Sequence, residues 1–359
     1  MAEQIAQIRF DSNPAFQNRK PRIANRTGWS RREFLKATAL TGSSALLGLT
    51  SNTHAADPAP ETTKIALAQS PALCTAPQIV AEELLRGEGF TDIQYLRTGS
   101  AELYKTVASG QAQLGMGVTL RFILDVDAGA PTVLLTGVHV GCYELFGVGT
   151  VRSVNNLKNK TVSVPGLHSG AHALLASMAA YVGLNPAKDI KWVVHPFAES
   201  MRLLADGKID AFMGFPPEPQ ELRAKKIGHV IVNTVTDRPW SQYFCCSLAG
   251  NREFVRRNPS ATKRAVRAIL KANSICAAEP ERVARLLKEK GYVTELDYAR
   301  QSITQIPYGK WRDLDSEDTV RFYSLRLYEA GLIKSSPQKI ISQGTAWQFL
   351  REIRKELKT

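Results

Sequence analysis

The sequence predicts an α/β protein in which one strand-and-helix unit is inserted into another, with a helical segment at the C-terminus. Three observations predict it. Short β-branched runs alternate with amphipathic helical runs from Thr63 to Asn233, at the spacing of βαβ units on a mostly parallel sheet. Two apolar runs, near residues 146–151 and 243–250, lead out of the first unit and back into it. Beyond Phe254 the pattern is almost wholly that of amphipathic helices. Two strands crossing between units make a hinge.

The first unit opens with a strand at 63–69. The loop Ser70-Pro71-Ala72-Leu73-Cys74 follows, then a helix at 76–87 with Ile79, Val80, Leu84 and Leu85 on one face. A second strand, 93–96, turns at Thr98-Gly99-Ser100 into a helix at 101–109. The strand 114–118 runs into a helix at 120–128, residues 132–136 are extended, and 143–149 leads away. The second unit has strands at 161–164, 190–194, 209–214 and 230–233. Its helices begin at Ser169, Ser200 and Glu218. Residues 243–249 return. Helical spacing then covers 260–277, 281–290, 319–330 and 345–357. The expected organisation is a leader over 1–56, a first lobe of 57–149 plus 246–359, and a second lobe of 150–245. On such sheets, ligands bind beyond the C-terminal ends of the strands.

The leader reading rests on order. A polar, basic stretch ends in Ser30-Arg31-Arg32-Glu33-Phe34-Leu35-Lys36, which resembles the bacterial twin-arginine export signal. A weakly apolar run to Thr50 is too short and too rich in Gly, Ser and Thr to span a bilayer, and Ala55-Ala56 offers small residues for cleavage. The twin-arginine translocase is therefore an expected partner, and the periplasm the expected location.

Of the formal net charge of +13, the first 56 residues carry +5. The rest lies largely on C-terminal helices, without the aromatic interleaving or the module that nucleic-acid binding requires. All five cysteines (Cys74, Cys142, Cys245, Cys246, Cys276) fall after the leader, with no CxxC and no zinc spacing. Adjacent Cys245 and Cys246 are expected on opposite faces of a strand, as separate core residues and not a metal pair.

The central stretch is Thr161-Val-Ser-Val-Pro165-Gly166-Leu167-His168-Ser169-Gly170-Ala171-His172. A strand, a broken turn and a capped helix with small first residues form an anion site, because the first N–H groups lack intrahelical partners and sit at the positive end of the helix dipole. The alternative is an ordinary capped helix. His168 and His172 share one helical face at a spacing that zinc sites use, but no HExxH or acid pair completes a ligand set. No GxSxG elbow supports nucleophilic catalysis. No metal, cofactor or catalytic residue is assigned.

Several of these segments together resemble the nitrate/sulfonate/taurine-type periplasmic substrate-binding proteins. The resemblance rests on Val164-Pro-Gly166 with His168-Ser-Gly-Ala-His172, on Gly183-Leu184, on Leu203-Leu-Ala-Asp-Gly207-Lys-Ile209-Asp210-Ala211, on Glu218-Pro219, and on Gly110-Gln-Ala-Gln113-Leu-Gly115-Met-Gly117. It covers about 64–278. It implies the type II periplasmic-binding-protein fold, with two lobes, two crossover strands and a small, anionic solute held between them. It further implies delivery to an ABC transporter permease by a non-enzymatic, monomeric protein. The expected ligand-binding residues are Leu73, Cys74, Ser100, Thr119 and Tyr143 from the first lobe. The second lobe is expected to supply His168, Ser169, Gly170, Ala171, Phe215 and Glu218. The alternatives are a sensor subunit, or an enzyme of the fungal pyrimidine-precursor synthase type, which resembles the same superfamily and uses a His- and Cys-rich site.

Overall fold

The structure is a computed structural model, and it describes residues 57–357. The twin-arginine run with Arg31 and Arg32 and the cleavage region at Ala55-Ala56 lie outside the described residues.

Two five-stranded sheets organise the chain. The first contains β1 (Lys64–Gln69), β2 (Asp92–Arg97), β3 (Leu114–Val118), β4 (Thr132–Val140) and β10 (Phe244–Asn251), in the order β2-β1-β3-β10-β4. The second contains β5 (Glu144–Gly147), β6 (Thr161–Val164), β7 (Lys191–Val194), β8 (Ala211–Gly214) and β9 (His229–Asn233), in the order β7-β6-β8-β5-β9. The two sheets share one plan. Three parallel strands are followed by an antiparallel strand, β10 or β5, and each of these is the strand that has just crossed from the other sheet. β4 and β10 are buried along their whole length. That accounts for their unbroken apolar character, since strands covered on both faces lose the alternation of a half-exposed strand.

The out-and-back pattern is present, with its first crossing displaced. The chain leaves the first sheet at Gly141-Cys142-Tyr143, and Glu144–Gly147 is already a strand of the second sheet. Reading 143–149 as a strand leading away placed the crossing a few residues late. Extending β4 from 136 to Val140 accounts for the shift. The return runs through Thr234–Tyr243 into β10. The two crossings lie side by side: Thr234 Oγ accepts from the Tyr143 N–H at 3.0 Å and donates to the Tyr143 carbonyl at 2.8 Å. Gly141 has φ +66°, and a Cβ there would meet the Val235 Cα at 2.7 Å, so only glycine allows this approach.

The tail helices largely follow their amphipathic spacing, with Pro259–Ala278, Pro280–Glu289, Ser316–Glu329 and Gln348–Glu356 near the expected spans. Two more, Leu296–Gln305 and Pro337–Gly344, were not read from the sequence. Helix 76–87 is broken at Ala81 into Ala76–Val80 and Glu82–Gly87. The helix Ser316–Glu329 packs on Gly170–Tyr181 of the second sheet. Around that contact, Tyr243 stacks on Phe322 with ring centroids 3.8 Å apart, and Trp240 bridges Tyr181 and Phe322 edge-on.

Candidate functional site

A cleft of about 540 Å³ opens between the two sheets. One wall comes from the first sheet: the loop at Ser70–Thr75, the turn and helix start at Gly99–Lys105, and Gly117, Val118 and Arg121 at the end of β3. The other wall comes from the second sheet: Pro165 through Ala171, with Phe197 and Phe215. Cys142, Tyr143 and Cys246 line the cleft where the crossings pass. The strand ends therefore converge as parallel-sheet geometry requires.

The helix Gly170–Tyr181 presents its N-terminus to this cleft. Ser169 caps it, its Oγ accepting from the His172 N–H at 3.2 Å. The N–H groups of Gly170 and Ala171 have no hydrogen-bond partner among the described residues. His168 is exposed and held at φ +63°. Its backbone N–H donates to His172 Nδ1 at 3.2 Å, which fixes His172 with its proton on Nε2. His172 is buried against Trp192, ring centroids 4.7 Å apart. Burial, then the nearby His168, pushes its imidazole down to about 4, so it is neutral at pH 7. The two histidines thus build the turn and show no shared ligand geometry.

Directly across stands Arg121, on the helix Thr119–Asp127. Its Nη1 donates to the His168 carbonyl at 3.4 Å, linking the two walls. Asp125 holds the guanidinium at 2.7 Å, and the Tyr104 ring lies beneath it with its centroid 5.4 Å away. Burial pushes the Asp125 carboxyl up to about 6, an effect Arg121 only partly offsets. An aromatic wall completes the cleft, with Tyr143 and Phe197 edge-on to Phe215 at 5.5 and 4.8 Å. Burial holds the Tyr143 phenol well above its ordinary range, so it is a neutral hydrogen-bonding group. The arrangement offers a cation, two free backbone donors and an apolar wall, which suits a small anion carrying an apolar part.

Of the residues expected from sequence, Cys74, Ser100, Tyr143, His168, Ser169, Gly170, Ala171 and Phe215 line the cleft. Leu73, Thr119 and Glu218 do not. Leu73 is core, fully buried. The Thr119 hydroxyl is engaged by the Phe244 carbonyl at 2.9 Å and by Ser247 Oγ at 2.8 Å. Glu218 opens the helix Glu218–Ala224, where burial pushes its carboxyl up to about 7. Arg121 was missed. The available signal was its place in the first helical turn after β3, just beyond a strand end.

The cysteines also differ from expectation. β10 carries a bulge between Phe244 and Cys246, which sets Cys246 opposite His139. The bulge breaks the alternation, so Cys245 and Cys246 both approach Cys142, Cys245 with its Sγ at 3.4 Å.

Comparison with known proteins bears on the fold. Residues 148–288 match the NMT1-like family. No protein of curated function matches the chain. The structure is similar to the periplasmic nitrate-binding protein NrtA from Synechocystis, with TM-score 0.67, 18% identity and coverage of 84% of this chain and 90% of that one. It is also similar to the periplasmic aliphatic sulphonate-binding protein SsuA from Escherichia coli, with TM-score 0.63, 16% identity and coverage of 80% and 94%. A Candida albicans protein described as having the generic periplasmic-binding-protein fold gives TM-score 0.62, 15% identity and coverage of 79% and 96%. The chain has that fold, as its sequence predicts.

Proposed function

We propose, from a periplasmic-binding-protein fold whose residues 148–288 match the NMT1-like family, that this chain is an exported, non-enzymatic solute-binding protein. It captures a small anionic solute between its lobes and presents it to the permease of an ABC importer. The observation that carries the reading is the pairing of Arg121 with the free N–H groups of Gly170 and Ala171 across one cleft. A guanidinium and a helix N-terminus facing each other favour negative charge from both sides, with Asp125 offsetting part of the guanidinium charge. The nitrate- and sulphonate-binding proteins that share the fold support the same ligand class.

In this reading the ligand contacts come from Cys74, Ser100, Tyr143, His168, Ser169, Gly170, Ala171 and Phe215, with Arg121 added. The protein acts as a monomer in the periplasm after twin-arginine export. No described helix is long and apolar enough to cross a membrane. The test is titration calorimetry with nitrate, taurine, alkanesulfonates and small organic acids, alongside neutral analogues. One-to-one binding of an anion, weakened in Arg121→Gln, is the expected result. Binding only of a neutral solute, or conversion of the solute to product, would overturn the reading. For export, Arg31→Lys with Arg32→Lys is expected to strand the protein in the cytoplasm.

A further inference from the structure

Three of the five cysteines gather at the floor of the cleft with one histidine. Cys74 comes from the turn after β1, His139 from the end of β4, Cys142 from the first crossing and Cys246 from β10. One donor atom from each of these four lies within 4.8 Å of every other. All four are buried. Single buried cysteines are ordinary core residues. Three thiols and an imidazole converging on one point, from segments as much as 172 positions apart (74 to 246), are a ligand set.

Two further observations point to an occupant. His139 Nδ1 donates to the Val140 carbonyl at 3.2 Å, which leaves the lone pair on Nε2. That nitrogen is fully buried, makes no hydrogen bond of ordinary geometry, and has only the thiols of Cys74 and Cys246 as its polar neighbours. A metal-binding imidazole is held in this way, one nitrogen fixed by a carbonyl and the other free to coordinate. Cys142 is held at φ +109°, where side-chain-bearing residues are seldom found. Strain of that kind persists at functional sites, where the surrounding structure imposes it.

We propose that Cys74, His139, Cys142 and Cys246 bind a single thiophilic cation, zinc(II) or copper(I). Tetrahedral coordination at about 2.3 Å to sulfur and about 2.0 Å to nitrogen places ligand atoms roughly 3.5–3.8 Å apart. The four side chains reach that spacing by drawing in about 1 Å at their widest separation. No carboxylate or carbonyl belongs to the donor set, so calcium and magnesium are excluded on ligand chemistry. Each thiol that coordinates releases its proton to solvent, and no oxidation or reduction is involved. Because Cys142 lies on one crossing and Cys246 just beyond the other, the ion ties the two connections together at the base of the cleft.

The test uses the full-length chain, reduced and stripped with a chelator. Zinc(II) and, separately, copper(I) are titrated against a chromophoric competitor, with bound metal counted by elemental analysis. Cobalt(II) is added as a spectroscopic probe. One ion per chain is expected, with cobalt giving intense thiolate charge-transfer bands and a tetrahedral ligand-field spectrum. The competition decides which of the two ions is held more tightly. Cys246→Ser and His139→Gln are each expected to weaken binding by more than about a hundredfold, beyond what loss of an outer-shell partner does. Cys276→Ser is expected to bind like wild type, since Cys276 is buried outside the cluster. Circular dichroism establishes that each variant is folded. The wild-type cobalt spectrum tests the site even where a variant fails to fold. Failure of the reduced wild type to hold either ion against the competitor would overturn the proposal. So would undiminished binding in a folded Cys74→Ser, Cys246→Ser double variant.

Discussion

Gly170→Ala separates two opposing physical effects. The substitution removes a glycine from a helix start, which by backbone propensity alone stabilises the helix by up to about 1 kcal/mol. Space says the reverse. A Cβ at Gly170 would stand 2.8 Å from Val118 Cγ2, 2.9 Å from its Cβ and 3.0 Å from its Cγ1. Val118 is short and branched, so it has no flexible end to swing aside. It also belongs to the opposite wall, so the clash is relieved by moving the walls apart. Overpacking of this kind costs about 1–3 kcal/mol. Where that cost falls on closure over the solute, it weakens binding by about five- to 150-fold. The assay is calorimetry with the anion identified in the panel above, paired with thermal unfolding of the ligand-free protein. We expect weaker binding with little loss of melting temperature, and recovery of affinity in Gly170→Ala, Val118→Ala. Wild-type affinity in the single variant, or no recovery in the double, would refute the steric argument.

Three other outcomes follow from the site. Arg121→Gln removes the cation while keeping a donor, and is expected to weaken anion binding by about 1.5–3 kcal/mol, the value of a hydrogen bond to a charged group, with a shallower salt dependence by calorimetry. His172 is neutral in the fold with its pKa depressed to about 4, so it stabilises fully above its unfolded value near 6.5 and loses that contribution as pH falls from about 6.5 to 4. Denaturant unfolding of wild type and His172→Gln should converge across that window, and a constant difference would count against it. Glu218 has the opposite sign. Its raised pKa of about 7 means burial disfavours the carboxylate, so Glu218→Gln should gain stability over wild type as pH rises from about 4.5 to 7; a difference between the two that stays constant across that window would contradict it.

The alternation of strands and helices was legible because each segment carries its own period, and the insertion was legible because the crossing strands are apolar. What the sequence concealed depends on distant contacts. Thr119 sits at a strand end, where cleft residues are expected, but its hydroxyl is engaged by β10, 125 positions away. Leu73 follows a strand as cleft residues do but lies in the core, and Glu218 opens a helix with a carboxylate oxygen buried away from the cleft lining. Arg121 lies inside a helix whose apolar residues dominate its pattern. The cysteine cluster has no sequence spacing at all. Its members meet through sheet pairing, and a bulge in β10 overrides the alternation that sets neighbours apart.

The stacked rings of Tyr243 and Phe322, with Trp240 bridging to Tyr181, lie where the C-terminal helix Ser316–Glu329 meets the second sheet. In the proposed solute-binding role they would serve as a fulcrum in addition to the two connecting strands. Points close to a fulcrum travel little and points far from it travel most. Turning about this one therefore leaves the packed aromatic rings in register while converting a small angle into a larger displacement at the far rim of the cleft. Leu167, 56% exposed beside His168, offers an apolar marker of that displacement at the protein surface. In the proposed solute-binding role, a partner that touches both walls at the rim would distinguish a loaded molecule from an empty one by shape alone, without contacting the solute.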